Sequence, residues 1–176
     1  MEKIRVAIIG IGNCASALIQ GLEYYGNPAN NNTPEGMMAS NIGGYTASDI
    51  EVVAAFDVDQ RKVGKTLDRA IYAKPNCTIH IVEPEKFPKS NVIVEKGHIL
   101  DGISDHMKDY NTYPVDTTFL VDETTPSVDI VKRLQEVKAD ILINYLPVGS
   151  EKAAKYYAQC AIDAKVAFLN CIPVFI

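Results

Sequence analysis

The opening of the chain constrains the fold more than any other stretch. Ile4 to Ile9 reads Ile-Arg-Val-Ala-Ile-Ile, a β-branched run too apolar for a strand with one wet face, and it stops at Gly10. Such a run suits a central parallel strand covered on both sides. Ala15, Leu18, Ile19 and Leu22 then recur at helical spacing, so a helix is expected from Asn13 to Tyr25. Between the two lies Gly10-Ile11-Gly12-Asn13-Cys14-Ala15, a Gly-x-Gly-x-x-Ala turn. Gly10 permits the sharp bend, Gly12 lacks the Cβ that would bar a pyrophosphate, and Ala15 lets helix and strand pack closely. The helix start adds unpaired N–H groups and partial positive charge. Gly10, Ile11, Gly12, Asn13 and Cys14 are therefore the expected cofactor-facing residues, with Asn13 either adding a donor or capping the helix. A tight turn that binds nothing would use similar residues. The order strand, glycines, helix favours a dinucleotide.

Strands and helices continue to alternate. Glu51 to Phe56 is a second β-branched run, closed by Asp57, and Val58 to Ile71 is expected to be helical with Asp59 as N-cap. Thr78 to Val82 and Asn91 to Val94 are short strand candidates, and Asp101 to Tyr110 is a helix candidate. Pro126 at a helix start leads into Val128 to Val137. Asp140 to Tyr145 is expected as strand, Ser150 to Ala164 as helix and Val166 to Leu169 as strand. The fold class expected is α/β, a Rossmann-like doubly wound, mostly parallel sheet. The Asn-, Pro-, Gly- and Ser-rich stretch Gly26 to Ser48 reads as an insertion after the first helix. No linker splits the chain, so residues 1–176 read as one NAD-binding domain.

An acidic residue ending the second strand of a dinucleotide fold accepts hydrogen bonds from the adenosine ribose. Asp57 stands there, displaced in sequence by the insertion, and its charge favours NAD over NADP. Asp57 as a simple turn cap, and Asp59 as the ribose ligand, are the competing readings. Tyr145-Leu146-Pro147 leaves one predicted strand for the next helix, either lining the nicotinamide side of the crevice or forming an ordinary turn. Asp101 is a cofactor or substrate ligand, or a helix cap.

Composition removes other classes. A net charge of -5 without a Lys/Arg run argues against a nucleic-acid surface. No apolar stretch reaches membrane-spanning length, and the N-terminus lacks the zones of a signal peptide. Cys14, Cys77, Cys160 and Cys171 are widely spaced, as are His80, His98 and His106. Reduced thiols in a cytoplasmic protein, and no resident metal, are expected. Cys14 and Cys171 read as small packing residues rather than nucleophiles.

Several stretches together resemble inositol-3-phosphate synthases of the shorter, prokaryotic type. They are Gly12-Asn13-Cys14-Ala15-Ser16 with Gln20 to Tyr25, Gly43-Gly44-Tyr45, Val53 to Asp59 with Lys62-Val63-Gly64, and Leu100-Asp101-Gly102. Tyr145 to Glu151, Tyr157 to Ala164 and Pro173-Val174-Phe175-Ile176 extend the match. The resemblance implies NAD-dependent cyclisation of D-glucose 6-phosphate to 1D-myo-inositol 3-phosphate by oxidation, enolisation, aldol closure and reduction. It implies a place in inositol and phospholipid biosynthesis, and a homo-oligomer. It also places the family's catalytic lysines beyond Ile176, and the apolar tail there reads as a truncation. A dehydrogenase of the glucose-fructose oxidoreductase or homoserine dehydrogenase kind, and a non-catalytic NAD-sensing domain, are the alternatives.

Overall fold

The computed structural model describes residues 2–30 and 36–176. The strands are β1 (Ile4–Ile9), β2 (Ile50–Asp57), β3 (Val94–Lys96), β4 (Ile141–Asn144) and β5 (Ala167–Asn170). The helices are α1 (Asn13–Gly26), α2 (Leu67–Ala70), α3 (Ile130–Glu136) and α4 (Glu151–Ala164). The sheet has five strands in the order β3-β2-β1-β4-β5, and every neighbouring pair is parallel.

Alternation along β1 explains the apolar run from Val6 to Ile9. Ala7 and Ile9 face a core shared with Ile130 and Leu134 of α3 and with Ala153 and Tyr157 of α4. Val6 and Ile8 face the opposite core, shared with Ala15 and Ile19 of α1 and Leu67 and Ala70 of α2. Successive strand side chains point to opposite faces, so a strand with helices on both sides has no wet position. The crossovers α1 and α2 thus cover one face, and α3 and α4 the other. The expected doubly wound α/β class is what the chain forms.

Local expectations fail where a glycine or a tertiary hydrogen bond intervenes. The helix expected over Val58 to Ile71 shrinks to α2. Gly64 sits at φ +76, and the backbone pairs instead with β3, Gly64 N–H reaching Val94 O and Val94 N–H reaching Lys65 O, each at 2.8 Å. The helix expected over Asp101 to Tyr110 is only a 3-10 turn, Asp105–Lys108, with Gly102 at φ +87 before it. Thr78 to Val82 is not a strand. The N–H groups of Ile81 and Val82 donate to Oε1 of the buried Gln20, so a helix side chain replaces the neighbouring strand. Pro126 does not start α3: Val128 N–H is spent on Lys96 O, and Asp129 caps the helix by accepting from Lys132 N–H. The expected insertion Gly26 to Ser48 includes residues 31–35, which lie outside the described residues. Its flanks carry 3-10 turns at Pro28–Asn30 and Ala47–Asp49, the latter closed by a Thr46/Asp49 capping box.

Leu142 is fully buried on β4 in the core beneath α3 and α4. Leu142→Ala is expected to destabilise the chain by about 2–5 kcal/mol. The exposed Leu100→Ala is expected to stay within about 0.5 kcal/mol of the parent. Urea unfolding followed by circular dichroism measures both.

Candidate functional site

In an open doubly wound sheet, the carboxyl ends of the strands part where the crossovers change sides. Here that point lies between β1 and β4. Gly10 N–H donates to Phe56 O at 2.9 Å and Tyr145 N–H to Ile9 O at 2.9 Å, so both strands end at the same level. Gly10 has φ +89, and a Cβ there would stand 2.7 Å from the Tyr145 carbonyl oxygen. The glycine loop and the Tyr145-Leu146-Pro147 loop therefore meet backbone to backbone. Gly12 differs: its backbone is extended, and a Cβ on it would meet nothing within 4 Å. The loop is tight against the sheet at its first glycine and open at its second.

The helix starts around this crevice are treated differently. Asp129 caps α3. Asp101 caps α4 from far along the chain, its two carboxylate oxygens accepting from Lys152 N–H at 2.7 Å and Ala153 N–H at 2.9 Å. Helix α1 begins after Gly12 with no side-chain cap and no acidic residue in its first turn. A 14-residue helix without a side-chain cap at its positive end presents N–H donors beside the open space at Gly12.

Asn13 does not cap α1. Its Oδ1 accepts from Cys77 N–H at 2.9 Å and its main-chain carbonyl from the Thr78 hydroxyl at 3.0 Å, binding residues 76–78 against the loop. Asn76 Nδ2 reaches Gly12 O at 3.4 Å and Ile71 O at 2.6 Å. Cys14 is exposed, and Cys171 near the end of β5 is exposed as well. Burial still pushes the Cys171 thiol up, which holds it in the un-ionised form at neutral pH.

Asp57 is 7% exposed and heavily committed. One oxygen accepts from Ile11 N–H at 2.7 Å, the other from Val58 N–H at 2.7 Å and Asp59 N–H at 2.9 Å. It ties the end of β2 to the glycine loop. Asp59 is not a helix N-cap. It is fully buried, holds Arg61 through both oxygens at 2.9 and 2.6 Å, and accepts from Leu120 N–H at 3.0 Å. The hydrogen bond to Asp59 raises the Arg61 pKa. Arg61 also donates to Val115 O and Thr118 O, so this pair fastens the long excursion after β3 beside Asp57.

On the other flank, Tyr145 is half-buried, and burial raises its phenol pKa. Leu146 N–H donates to Asn144 Oδ1 at 3.1 Å, and Asn144 Nδ2 reaches Asn170 Oδ1 at 2.9 Å, linking the ends of β4 and β5. Pro147 O accepts from the Ser150 hydroxyl at 2.7 Å. A Cβ on Gly102 would fall 1.8 Å from that hydroxyl oxygen. Behind the crevice, the buried Tyr157 hydroxyl accepts from His98 N–H at 2.9 Å, and burial lifts its pKa above the usual tyrosine range. The structure therefore gathers Gly10, Ile11, Gly12, Asn13, Cys14, Asp57, Tyr145, Leu146 and Pro147 along one edge, with Asp101 one layer behind them under α4. The signals missed in the sequence were Lys62, Arg61 and the Asn144–Asn170 pair, whose types are ordinary and which only burial of Lys62 and Asn144 and long-range hydrogen bonds mark.

These features define a doubly wound α/β protein with the glycine loop and the Tyr145 to Pro147 loop meeting at its topological switch point. In sequence, the chain is 51% identical over 174 residues to inositol-3-phosphate synthase of Mycolicibacterium smegmatis, a match covering 99% of this chain and 45% of that relative. It is 49% identical over 176 residues to inositol-3-phosphate synthase of Corynebacterium glutamicum, covering 99% and 45%. The crystal structure of Ari2 matches with a TM-score of 0.76 and 35% identity over 99% of this chain and 47% of that one. A myo-inositol-1-phosphate synthase-related protein from Thermotoga maritima shares the fold with a TM-score of 0.67 at 20% identity, over 99% and 49%. No protein-family profile matches the chain. The chain is thus a homologue of the inositol-3-phosphate synthases along nearly its whole length, and it spans a little under half the length of the curated relatives it matches.

Because both Asp101 oxygens serve α4, Asp101→Ala is expected to lower stability by about 0.5–2 kcal/mol. Thermal unfolding of the ligand-free protein measures it. An unchanged midpoint would show that the cap contributes nothing.

Proposed function

We propose that this chain supplies the NAD-binding part of an inositol-3-phosphate synthase, a cytoplasmic enzyme of inositol and phospholipid biosynthesis. The whole enzyme would cyclise D-glucose 6-phosphate to 1D-myo-inositol 3-phosphate, acting as a homo-oligomer and an isomerase-type catalyst with no net redox change. The observation that carries the reading is the bare amino end of α1 above Gly12, where space is open while the α3 and α4 starts are filled by Asp129 and Asp101. Sequence identity of about half to named synthases over this same stretch supports it.

The residues present fit a dinucleotide. The amides following Gly12 point at the open space and suit a diphosphate. Asp57 stands at the end of β2, the position from which an acidic side chain meets the adenosine ribose and favours NAD over NADP. Tyr145, Leu146 and Pro147 supply an apolar wall on the β4 side, suited to a flat ring and to the exclusion of water. When bound, NAD supplies reversible hydride acceptance from a ring-carbon hydroxyl. The groups that hold the sugar phosphate and move its protons are assigned to the part of the relatives that this chain does not match.

Gly12 permits a clean test, since its extended backbone and empty surroundings accept a side chain without strain. Gly12→Val is expected to keep the parent melting temperature and to weaken NAD at least about a hundredfold, or roughly 2.7 kcal/mol. Titration calorimetry reads this directly. Folded parent protein that gives no binding signal with NAD would refute the proposal. A second outcome is expected from the same material: the 176-residue chain binds NAD yet forms no inositol phosphate from glucose 6-phosphate. Product formation would overturn the assignment of catalysis to the unmatched part.

A further inference from the structure

Ile11, the residue between the two loop glycines, has both main-chain polar groups held by side chains from the last residue of β2 and the turn that follows it. Its N–H donates to Asp57 Oδ2 at 2.7 Å, and its carbonyl accepts from Lys62 Nζ at 2.6 Å. Lys62 Nζ lies 4.0 Å from the same Asp57 oxygen, and Lys62 is only 1% exposed. Lys62 is seated by its own N–H, which donates to Asp59 O at 2.9 Å. The Ile11 side chain is fully buried in the core under α1 and α2, so the residue is pinned on every side.

We infer that Lys62 is a positioning residue for dinucleotide binding, fixing the Ile11 peptide and offsetting the Asp57 charge beneath the diphosphate. This rests on the NAD reading above. A buried carboxylate without a counter-charge would repel the phosphates across a short, poorly screened distance. With Lys62 beside it, Asp57 can keep the loop amide in place while the pair carries no net charge. The lysine ammonium also holds the Ile11 carbonyl, which would otherwise be free to turn toward the ligand.

The test compares parent, Lys62→Met and Lys62→Arg proteins for NAD, ADP-ribose and adenosine, with Ile11 amide hydrogen exchange followed by NMR. Lys62→Met is expected to weaken NAD and ADP-ribose at least about tenfold, to change adenosine less than about threefold, and to speed Ile11 exchange. Lys62→Arg, which keeps the charge, is expected to recover most of the lost affinity. A purely structural role would weaken all three ligands alike by depleting folded protein. If Lys62→Met does not fold, Lys62→Gln replaces it, with the donor kept and the charge lost. Equal NAD affinity in parent and variant, or equal losses for adenosine and ADP-ribose, overturns the inference while leaving NAD binding intact. A parent protein that binds no NAD removes the functional reading itself, and this inference with it.

Discussion

The contact on which the crevice depends is the close approach of the Gly10 backbone to the Tyr145 carbonyl. β1 and β4 are adjacent parallel strands that leave the sheet in opposite directions, one toward α1 and the other toward α4. Their loops can separate only above the level at which they touch. At Gly10 there is no room for a Cβ, and φ is positive, so the bend and the packing impose the same residue. Everything beyond that contact follows from it: the direction of α1, the open space at Gly12, and the apolar flank from Tyr145 to Pro147.

Carboxylates then divide the helix starts into closed and open ones. Asp129 serves its own helix, whereas Asp101 crosses from the loop after β3 to serve α4. Satisfying those donors internally leaves α1 as the helix whose positive end faces the crevice without a side-chain cap. The distribution makes electrostatic sense. A carboxylate on α1 would compete with any anionic ligand, while one on α4 steadies the wall opposite without entering the phosphate path.

The long stretch after β3 has little regular structure, yet it is firmly attached. Gln60 N–H donates to Leu120 O and Asp122 N–H to Val58 O, both at 2.8 Å, so residues 118–122 lie antiparallel to the chain leaving β2. The buried Asp59–Arg61 pair adds bonds to Leu120, Val115 and Thr118. Lys96, buried at the end of β3, donates to the carbonyls of Asp122 and Thr125. Cations thus satisfy carbonyls that no helix or strand pairs, which is how a loop of this length avoids orphaned acceptors. Its result is a rim beside Asp57 on the β2 side of the crevice.

The sequence by itself determined the alternation of strands and helices at both ends of the chain, the doubly covered sheet and the glycine turn, because those rest on local periodicity and on the backbone freedom of particular residues. Ile4 to Ile9, Asn13 to Gly26 and Glu151 to Ala164 could be read almost to the residue. Only the tertiary structure decided which polar groups meet. Asp57 and Asp101 stood out as ligand candidates by type and place, yet one ties the loop to β2 and the other caps a helix whose first residue is 50 positions away in sequence. Lys62 stood in a stretch that carries the family resemblance, but nothing in its type or spacing marked it as buried, since a lysine in a polar turn is ordinarily solvated. Depth and long-range hydrogen bonding are properties of the packed chain. They arise when segments distant in sequence close over one another, and no local spacing encodes them.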